Sequence, residues 1–294
     1  MTQRVAFIGL GVMGFPMAGH LQTKGFDVCV YNRTAAVAAR WQDTYSGRTA
    51  ETPQQAAEGA EIVFVCVGND DDVRSVVYGA EGALAGMKAG TVLVDHTTAS
   101  AQLARELEAK CHEHGIGFMD APVSGGQAGA DNGVLTVMVG GDQTLLQKLQ
   151  QALNCYSKYV GWQGQAGSGQ LAKMVNQICI AGVVQGLAEG MQFIEQAGLD
   201  PERVIQAISQ GAAGSWQMAN RWQTMAAGNY EFGFAVDWMR KDLQLTLEEA
   251  NRNGSRLPLT AIVDQFYGDV QAKGGSRWDT SSLLTRFIEP KHGK

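Results

Sequence analysis

The sequence lacks several features that would assign it to a class at once. Lys and Arg number 23 against 29 Asp and Glu, and they are scattered, so no basic stripe suits a nucleic-acid backbone or an anionic membrane. The five cysteines form no CxxC pair, which argues against a zinc site and a disulfide framework. The five histidines lack metal-ligand spacing with carboxylates. We therefore expect a cytoplasmic protein with reduced thiols, no metal, and neither nucleic acid nor membrane as partner.

Proline is also scarce, at 6 of 294 residues, and we find no repeat, low-complexity tract or proline-rich linker. A composition of 45% hydrophobic and 18% charged residues is typical of a folded enzyme rather than a disordered chain. The length allows two domains. With no linker between them, we expect the two domains to be joined by a helix.

An apolar, glycine-rich run over residues 5–21 follows Arg4 and superficially resembles a secretion signal or a membrane segment. Its glycines would weaken a helix, and no later stretch approaches the roughly 20 apolar residues that span a bilayer. We instead interpret it as a strand over 4–8, the turn GLGVMG over 9–14, and a helix over 15–23. GxGxxG between a strand and a helix lets a pyrophosphate approach the backbone N–H groups of the helix N-terminus.

The residue that reads the cofactor ribose is expected about 20 residues beyond these glycines, at the end of a second strand over 27–31. An Asp or Glu there would bind a free 2′-hydroxyl, but the sequence has Asn32, Arg33 and Thr34. Arg33 can form a charge-assisted fork with a 2′-phosphate, and its two neighbours can donate further hydrogen bonds. The sequence therefore predicts NADP(H) in preference to NAD(H). The alternative is a plain helix N-cap in which Arg33 is a solvated charge.

Strands and helices continue to alternate to about residue 165 and then give way to helices alone. This pattern predicts an α/β fold with a Rossmann-type doubly wound, mainly parallel sheet over residues 1–165, followed by an all-α domain over 166–294. A long helix over 170–197 would join the two. We expect strands at 62–67, 91–95, 117–121, 135–139 and 159–161, and helices at 53–59, from about 71, at 100–114, from 201, and at 216–226, 235–252, 259–271 and 281–288.

Three polar loops follow predicted strands, with the sequences GNDDD at 68–72, HTTAS at 96–100 and PVSGG at 122–126. In doubly wound sheets, ligands bind outside the carboxyl ends of the strands. We therefore expect these three loops to surround the cofactor.

The segment GSGQLAKMVNQ at 167–177 begins the long helix and places Lys173 and Asn176 three residues apart, on one face. A lysine near a helix N-terminus gains nothing from the helix dipole. The ordinary explanation is that its stem lies on apolar surface while its charged end reaches water. A lysine serves as acid and base near neutral pH only where burial or a neighbouring cation favours its neutral form.

Four segments in order resemble the β-hydroxyacid dehydrogenase family: GLGVMG at 9–14, PVSGG at 122–126, GxGxxxKxxN at 167–176 and RKD at 240–242. The resemblance covers essentially the whole chain. The family includes 3-hydroxyisobutyrate dehydrogenase, tartronate semialdehyde reductase and the glyoxylate/succinic semialdehyde reductases. The NRT at 32–34 resembles the NADPH-using glyoxylate reductase branch.

The resemblance implies a role for each matching residue. Lys173 would give a proton to the carbonyl oxygen as hydride reaches the carbon, or take it back in the reverse reaction, and Asn176 would orient that oxygen. The substrate carboxylate would lie against Ser124, Gly125 and Gly126, with an amide from Gln177 nearby. The implied cofactor-binding residues are Gly9, Leu10, Gly11, Val12, Met13, Gly14, Asn32, Arg33, Thr34, Val67, Gly68, Asn69, Thr98 and Lys241.

The expected activity is the NADP(H)-dependent interconversion of a short hydroxy acid and its aldehyde or oxo acid, of the 3-hydroxyisobutyrate, glyoxylate, succinic semialdehyde or tartronate semialdehyde type. The small substrate would carry a carboxylate, and the protein would be a homodimer or homotetramer. Two alternatives stay open. One is an imine reductase-like enzyme, a group that generally lacks the lysine, and the other is a dinucleotide-binding protein without catalysis.

Two positions depart from the family pattern. His96 stands where relatives usually have a small hydroxyl residue, and Gln177 stands where many have a second Asn. Trp216, Trp238 and Arg240 are candidates for the wall of the substrate pocket, although packing in a helical core explains the tryptophans equally well.

Overall fold

The computed structural model describes residues 2–288, which divide into two compact units after Lys173. The predicted domain boundary between residues 165 and 166 falls just before the long helix that contains this division. The predicted second domain also included residues 289–294, which lie outside the described residues.

The first unit has one sheet, with nine strands within residues 2–288. Their order is β3-β2-β1-β4-β5-β6-β8-β7, with β9 beside β8. Neighbours from β3 to β6 are parallel, whereas β8 runs antiparallel to β6 and β7 and parallel to β9. The strands are β1 (Arg4–Ile8), β2 (Asp27–Tyr31), β3 (Arg48–Thr49), β4 (Ile62–Val65), β5 (Val92–Asp95), β6 (Gly117–Asp120), β7 (Val123–Ser124), β8 (Leu135–Gly141) and β9 (Ser157–Gly164).

The central strands are apolar without alternation because helices cover both faces of the sheet. Phe7 and Phe64 belong to the core on one face, and Ile8 and Val63 to the core on the other. Strands β2 and β3 lie on one side of β1, and β4 to β6 lie on the other, so the order in which strands are added reverses between β1 and β4. Such a reversal opens a crevice at the carboxyl ends of these two parallel strands. The doubly wound, mainly parallel sheet predicted from the sequence is confirmed.

The helices of the first unit are α1 (Gly14–Thr23), α2 (Ala35–Tyr45), α3 (Pro53–Ala57), α4 (Asp70–Val77), α5 (Ala83–Gly86), α6 (Ala101–Glu113), α7 (Gly126–Asp131) and α8 (Gln143–Leu153). Side chains of Thr52, Asn69 and Ser100 accept hydrogen bonds from the first turns of α3, α4 and α6, so these polar residues determine where the helices begin. Sequence inspection did not identify α2, α5, α7 or α8.

The second unit is helical. Its elements are the greater part of α9 (Ser168–Gln196), then α10 (Pro201–Ser209), α11 (Trp216–Ala227), α12 (Val236–Asn253), α13 (Pro258–Ala272) and a 3₁₀ helix (Thr280–Arg286). The last element was predicted as an ordinary helix over 281–288. Asp279 instead accepts hydrogen bonds from the backbone N–H and the hydroxyl of Ser281, and such local bonds compete with α-helical pairing.

The helix α9 is long and apolar enough to cross a membrane by length and composition alone. The sequence analysis expected no later stretch to approach the length and apolar character of a spanning helix, and α9 does so. Of its most apolar window, 44% is buried within the protein, and a core helix of a helical domain passes the same test. Buried residues such as Ala181, Val184 and Ala188 face the core of the second unit.

Candidate active site

The GLGVMG turn lies at the end of β1, in the crevice of the sheet. The Gly9 N–H donates to the carbonyl of Tyr31 at 2.9 Å, and Gly9 has a φ of +98°. A Cβ on Gly9 would collide with the Cys66 carbonyl oxygen, and one on Gly14 with the Gly9 carbonyl oxygen. The first glycine therefore permits the turn, and the third permits α1 to pack against β1.

Gly11 has a different reason to be glycine. It is exposed, its φ is not positive, and no atom lies within 4 Å of the place where a Cβ would stand. Three residues later α1 begins without a capping side chain at Met13. An open backbone surface beside an uncapped helix N-terminus fits the pyrophosphate of a dinucleotide.

The loop after β2 contains the three residues expected at the ribose. Asn32 accepts a hydrogen bond from the Leu10 N–H at 3.0 Å and donates to the Thr34 carbonyl at 3.1 Å, so its amide joins this loop to the glycine turn. Thr34 occupies the N-cap position of α2, but its side chain makes no capping bond. Arg33 is exposed and contacts Asp72, with 3.4 Å between Nη1 and Oδ1.

The loops after β4 and β5 hold each other through hydrogen bonds. The Val67 N–H donates to the Thr97 hydroxyl at 3.0 Å, and the Thr97 N–H donates to Asp95 at 2.9 Å. The side chain of Asn69 accepts from the Asp72 N–H and thereby caps α4. Gly68 and Thr98 lie half-buried in the same two loops. The cofactor-lining residues predicted here thus lie in two loops that are hydrogen-bonded to each other at one edge of the sheet.

Asp95 and His96 are neighbours that burial affects in opposite ways. Burial raises the pKa of Asp95 to about 7, although hydrogen bonds from Thr97 oppose the shift. Burial lowers the pKa of His96 to about 4, although its bond to the Ala121 carbonyl opposes the shift. In both residues the cause is the cost of burying a charge.

His96 was noted as a departure from the family pattern, and the structure places it in the core beneath the loops. Its Nδ1 donates to the Ala121 carbonyl at 2.6 Å, since a carbonyl only accepts. In the neutral ring, Nε2 then accepts from the hydroxyl of the buried Tyr156 at 2.8 Å. The ring also stacks on Phe64, with 5.6 Å between centroids. His96 thus anchors the chain just before the PVSGG loop and does not face the cofactor edge.

The PVSGG segment was expected as a loop, but Val123 and Ser124 form β7, which pairs with β8. The next two residues have positive φ, +137° at Gly125 and +61° at Gly126, and are exposed. A Cβ on Gly125 would lie 3.0 Å from the Leu135 side chain. Only glycine adopts this backbone readily, and it leaves peptide groups accessible beside the Ser124 hydroxyl.

The start of α9 is fixed by a buried carboxylate that sequence reasoning missed. Asp120, at the end of β6, accepts hydrogen bonds from the Gly167 and Gln170 N–H groups, each at 2.8 Å. Burial raises its pKa, against these backbone bonds. The buried Gln170 side chain accepts from the Ala99 N–H at 3.0 Å and donates to the Thr97 carbonyl at 2.7 Å. Lys173, 7% exposed, follows one turn later.

Two glycines allow the start of α9 to lie close to the ends of β6 and β8. A Cβ on Gly169 would lie 2.5 Å from the Met138 carbonyl oxygen and 2.8 Å from that of Asp120. One on Gly140 would lie 2.7 Å from the Gly169 nitrogen. The single sequence signal for Asp120 is an acidic residue at the end of an apolar strand, directly before the PVSGG segment.

In the second unit, Asn176, Gln177 and Asp242 form a chain of hydrogen bonds. Asn176 Nδ2 donates to Gln177 Oε1 at 2.8 Å, and Gln177 Nε2 donates to Asp242 Oδ2 at 2.7 Å. The other oxygen of the buried Asp242 lies 3.1 Å from Lys241 Nζ. The long side chain of Gln177 is therefore what reaches α12, and it orients the Asn176 amide.

The other pocket-wall candidates have partners in the second unit. Arg240 forms a fork with Asp264 at 3.0 and 3.2 Å and donates to Gln271 at 2.6 Å, so it ties α12 to α13. Trp238 is 38% exposed, with Lys241 Nζ at 5.9 Å from its ring centroid, and Trp216 is 53% exposed. Within residues 2–288, no group of three or more His, Cys, Asp or Glu is placed to hold a metal ion.

Family models match both units. Residues 4–164 match the NAD binding domain of 6-phosphogluconate dehydrogenase, and residues 167–287 match the model for NAD-binding of NADP-dependent 3-hydroxyisobutyrate dehydrogenase. The chain belongs to the β-hydroxyacid dehydrogenase family. Membership confirms the predictions of a Rossmann-type domain followed by a helical domain, and of an NAD(P)-dependent oxidoreductase of hydroxy acids.

Several known proteins are similar to this chain over almost its whole length. An uncharacterized oxidoreductase of Shewanella frigidimarina is 62% identical over 97% of this chain and 98% of its own. The 2-hydroxy-3-oxopropionate reductase of Escherichia coli is 32% identical over 96% of each chain. The structure of Mycobacterium tuberculosis 3-hydroxyisobutyrate dehydrogenase with L-serine superposes with a TM-score of 0.87, at 27% identity, over 98% of this chain and 100% of that one.

Proposed function

We propose that this protein uses NADPH to reduce a short oxo acid or semialdehyde to the hydroxy acid, and catalyses the reverse oxidation. The observation that carries the proposal is Lys173, which is buried in the second turn of α9 rather than extended into water. A lysine that only covers apolar surface would expose its charged end. The turn of α9 that precedes it is fixed, because Gln170 bonds to Asp120 and Thr97, and a lysine held in a defined position supports a role in chemistry.

The proposed chemistry gives a separate role to each residue of the site. Bound NADPH supplies a hydride to the carbonyl carbon. The Lys173 ammonium donates a proton to the carbonyl oxygen, and in the oxidation direction the neutral amine takes it from the hydroxyl. Asn176, held by Gln177, orients the oxygen. The Ser124 hydroxyl and the accessible N–H groups of the two glycines that follow bind the substrate carboxylate.

Other residues are proposed to bind the cofactor. The N–H groups of the GLGVMG turn bind the pyrophosphate, and Arg33 binds the 2′-phosphate that distinguishes NADPH from NADH. Of the five N–H donors on its guanidinium, Arg33 uses one in a long contact with Asp72, and the other donors point to no charged partner within residues 2–288. Lys241 binds the cofactor at its nicotinamide end.

The substrate is proposed to be small and to carry a carboxylate. The E. coli relative is a reductase of 2-hydroxy-3-oxopropionate, and the M. tuberculosis relative was solved with L-serine, also a three-carbon acid. We propose a cytoplasmic homodimer or homotetramer. Exposed apolar side chains on α9 and α13 support an assembly through the helical unit; they are Val175, Val183, Phe193, Leu259 and Ile262.

The test follows NADPH absorbance while glyoxylate, succinic semialdehyde, tartronate semialdehyde and a cyclic imine are added in turn, with NADH in parallel. We expect turnover with at least one carbonyl acid, none with the imine, and a higher kcat/KM with NADPH. Tight NADPH binding without turnover of any carbonyl acid would contradict the enzymatic proposal.

A further inference from the structure

Three consecutive acidic residues begin α4, and their side chains have different partners. Asp70 accepts hydrogen bonds from the N–H of Ser100 at 2.9 Å and from its hydroxyl at 2.5 Å. The Asp71 side chain is 96% exposed and lies 3.5 Å from Arg74. Asp72 lies 3.4 Å from Arg33, and within residues 2–288 it is the one charged partner recorded for that arginine.

The Arg33–Asp72 pair spans the crevice of the sheet. Arg33 follows β2, Asp72 lies in the first turn of α4 after β4, and β2 and β4 flank β1 on opposite sides. The pair thus bridges two loops across the end of the strand that carries the glycine turn. The Asp72 carboxylate therefore contacts the same guanidinium that is proposed to bind the 2′-phosphate.

We propose that Asp72 is a specificity-determining residue that limits NADPH affinity by competing with the 2′-phosphate for Arg33. This inference rests on the proposed use of NADPH. A phosphate dianion bound by the guanidinium would meet the Asp72 carboxylate within a few ångströms, and the two anions repel each other. NADH carries no charge at this position, so Asp72 does not oppose it. Asp72 therefore reduces the difference in affinity between NADPH and NADH.

The pair is expected to contribute little to the stability of the fold. The Arg33 side chain is 86% exposed and the Asp72 side chain 32%, and an exposed pair with a single long contact contributes little stability. The backbone N–H of Asp72, which Asn69 caps, is unaffected by a change of its side chain. Asp72→Asn keeps the size of the side chain and removes only the charge.

The experiment measures NADPH and NADH dissociation constants by fluorescence titration of wild type, Asp72→Asn, Asp71→Asn, Arg33→Gln and the double variant of Arg33 and Asp72. Asp71→Asn is the matched control. It removes the same charge from the neighbouring residue, whose side chain contacts Arg74 and not Arg33. We expect Asp72→Asn to tighten NADPH about threefold to tenfold, Asp71→Asn to change it less than about twofold, and NADH to change less than about twofold with either.

Two further results support the inference. In the Arg33→Gln background, Asp72→Asn should change NADPH affinity by less than about twofold, because the guanidinium for which Asp72 and the 2′-phosphate compete is absent. At high salt the gain from Asp72→Asn should shrink, since the Arg33 charge is exposed and the Asp72 charge is partly exposed, so ions screen the pair.

Equal gains from the Asp71 and Asp72 variants would overturn the inference in favour of a general loss of negative charge. Weaker NADPH binding by Arg33→Gln, with no gain from Asp72→Asn, would overturn the inference and leave the proposed cofactor intact. NADPH binding that is unchanged in Arg33→Gln would instead overturn the proposed cofactor preference.

Discussion

Lys173 is the residue whose replacement should separate binding from chemistry. Lys173→Ala removes the proposed proton donor and leaves the glycine turn and Arg33 untouched. We expect kcat to fall by about 100-fold or more, the usual contribution of a positioned acid or base, while the NADPH dissociation constant changes little. Steady-state kinetics and fluorescence titration measure the two quantities. A parallel loss of both would indicate a structural role for the lysine.

His96 should leave a signature in the pH dependence of stability. Its pKa is lowered to about 4 from 6.5, so between these values the unfolded chain binds more protons at this residue than the folded protein does. The free energy of unfolding therefore decreases as pH falls through this window. His96→Gln lacks this contribution, and we expect its decline with falling pH to be shallower than in wild type.

The measurement is urea unfolding at several pH values between about 4 and 6.5. Asp95 acts in the opposite sense, because its raised pKa makes the folded protein the better proton acceptor over the same range. It is present in both proteins, so the difference between them isolates His96. Parallel stability curves would show that His96 has the same pKa in the folded and unfolded states, contrary to the lowered value.

Individual residues were predictable where the chemistry is local. The glycines of the turn and Arg33 stand at fixed offsets from a strand, so their positions follow from the sequence. Asp120 and the amide of Asn32 were not predictable in their roles, because their partners are distant along the chain. Asp120 bonds to residues 47 and 50 positions away, and Asn32 to one 22 positions away.

At the scale of elements, the hydrogen bond that joins α9 to α12 depends on the length of one side chain. Gln177→Asn removes a methylene group, withdraws the amide from Asp242 and releases Asn176. We expect kcat/KM for the carbonyl acid to fall about tenfold, because a buried carboxylate loses its donor and the orienting amide loses its anchor. NADPH affinity should change little.

The control is Gln185→Asn, the same shortening at another buried glutamine of α9, which bonds to Glu189. It should leave kcat/KM nearly unchanged. A comparable loss in both variants would mean that any shortening inside this helix disturbs the enzyme, and that Gln177 has no special role.

Elements were predictable to the extent that their patterns were distinct. The buried strand β1 appeared as a short apolar run before Gly9, and β2 as one after Gly25. Asp200 with Pro201 indicated the start of α10. The helix α7 begins at Gly126, the last residue of the segment PVSGG that was interpreted as a loop. The antiparallel pairing of β8 depends on tertiary contacts that no local pattern encodes.

At the scale of the whole molecule, the exposed apolar side chains of the helical unit predict self-association. Phe193 is 68% exposed on α9 and Val183 is 40% exposed on the same helix. We expect light scattering to give the mass of a dimer or tetramer, and Val183→Glu to shift the population toward monomer, because a charge in an apolar interface loses its hydration. Val134→Glu, at a 43% exposed valine of the first unit, is the control and should leave the mass unchanged.

The open space around Gly11 makes folding and cofactor binding separable in this protein. A methyl group there meets no atom of the chain within 4 Å, so Gly11→Ala should unfold at the same temperature as wild type when no ligand is added. Wild type should gain thermal stability with NADPH by mass action, about 2.7 kcal/mol at one hundred times the dissociation constant, whereas the variant should gain far less. Melting curves with and without the dinucleotide would then report occupancy of the crevice directly, with no substrate needed.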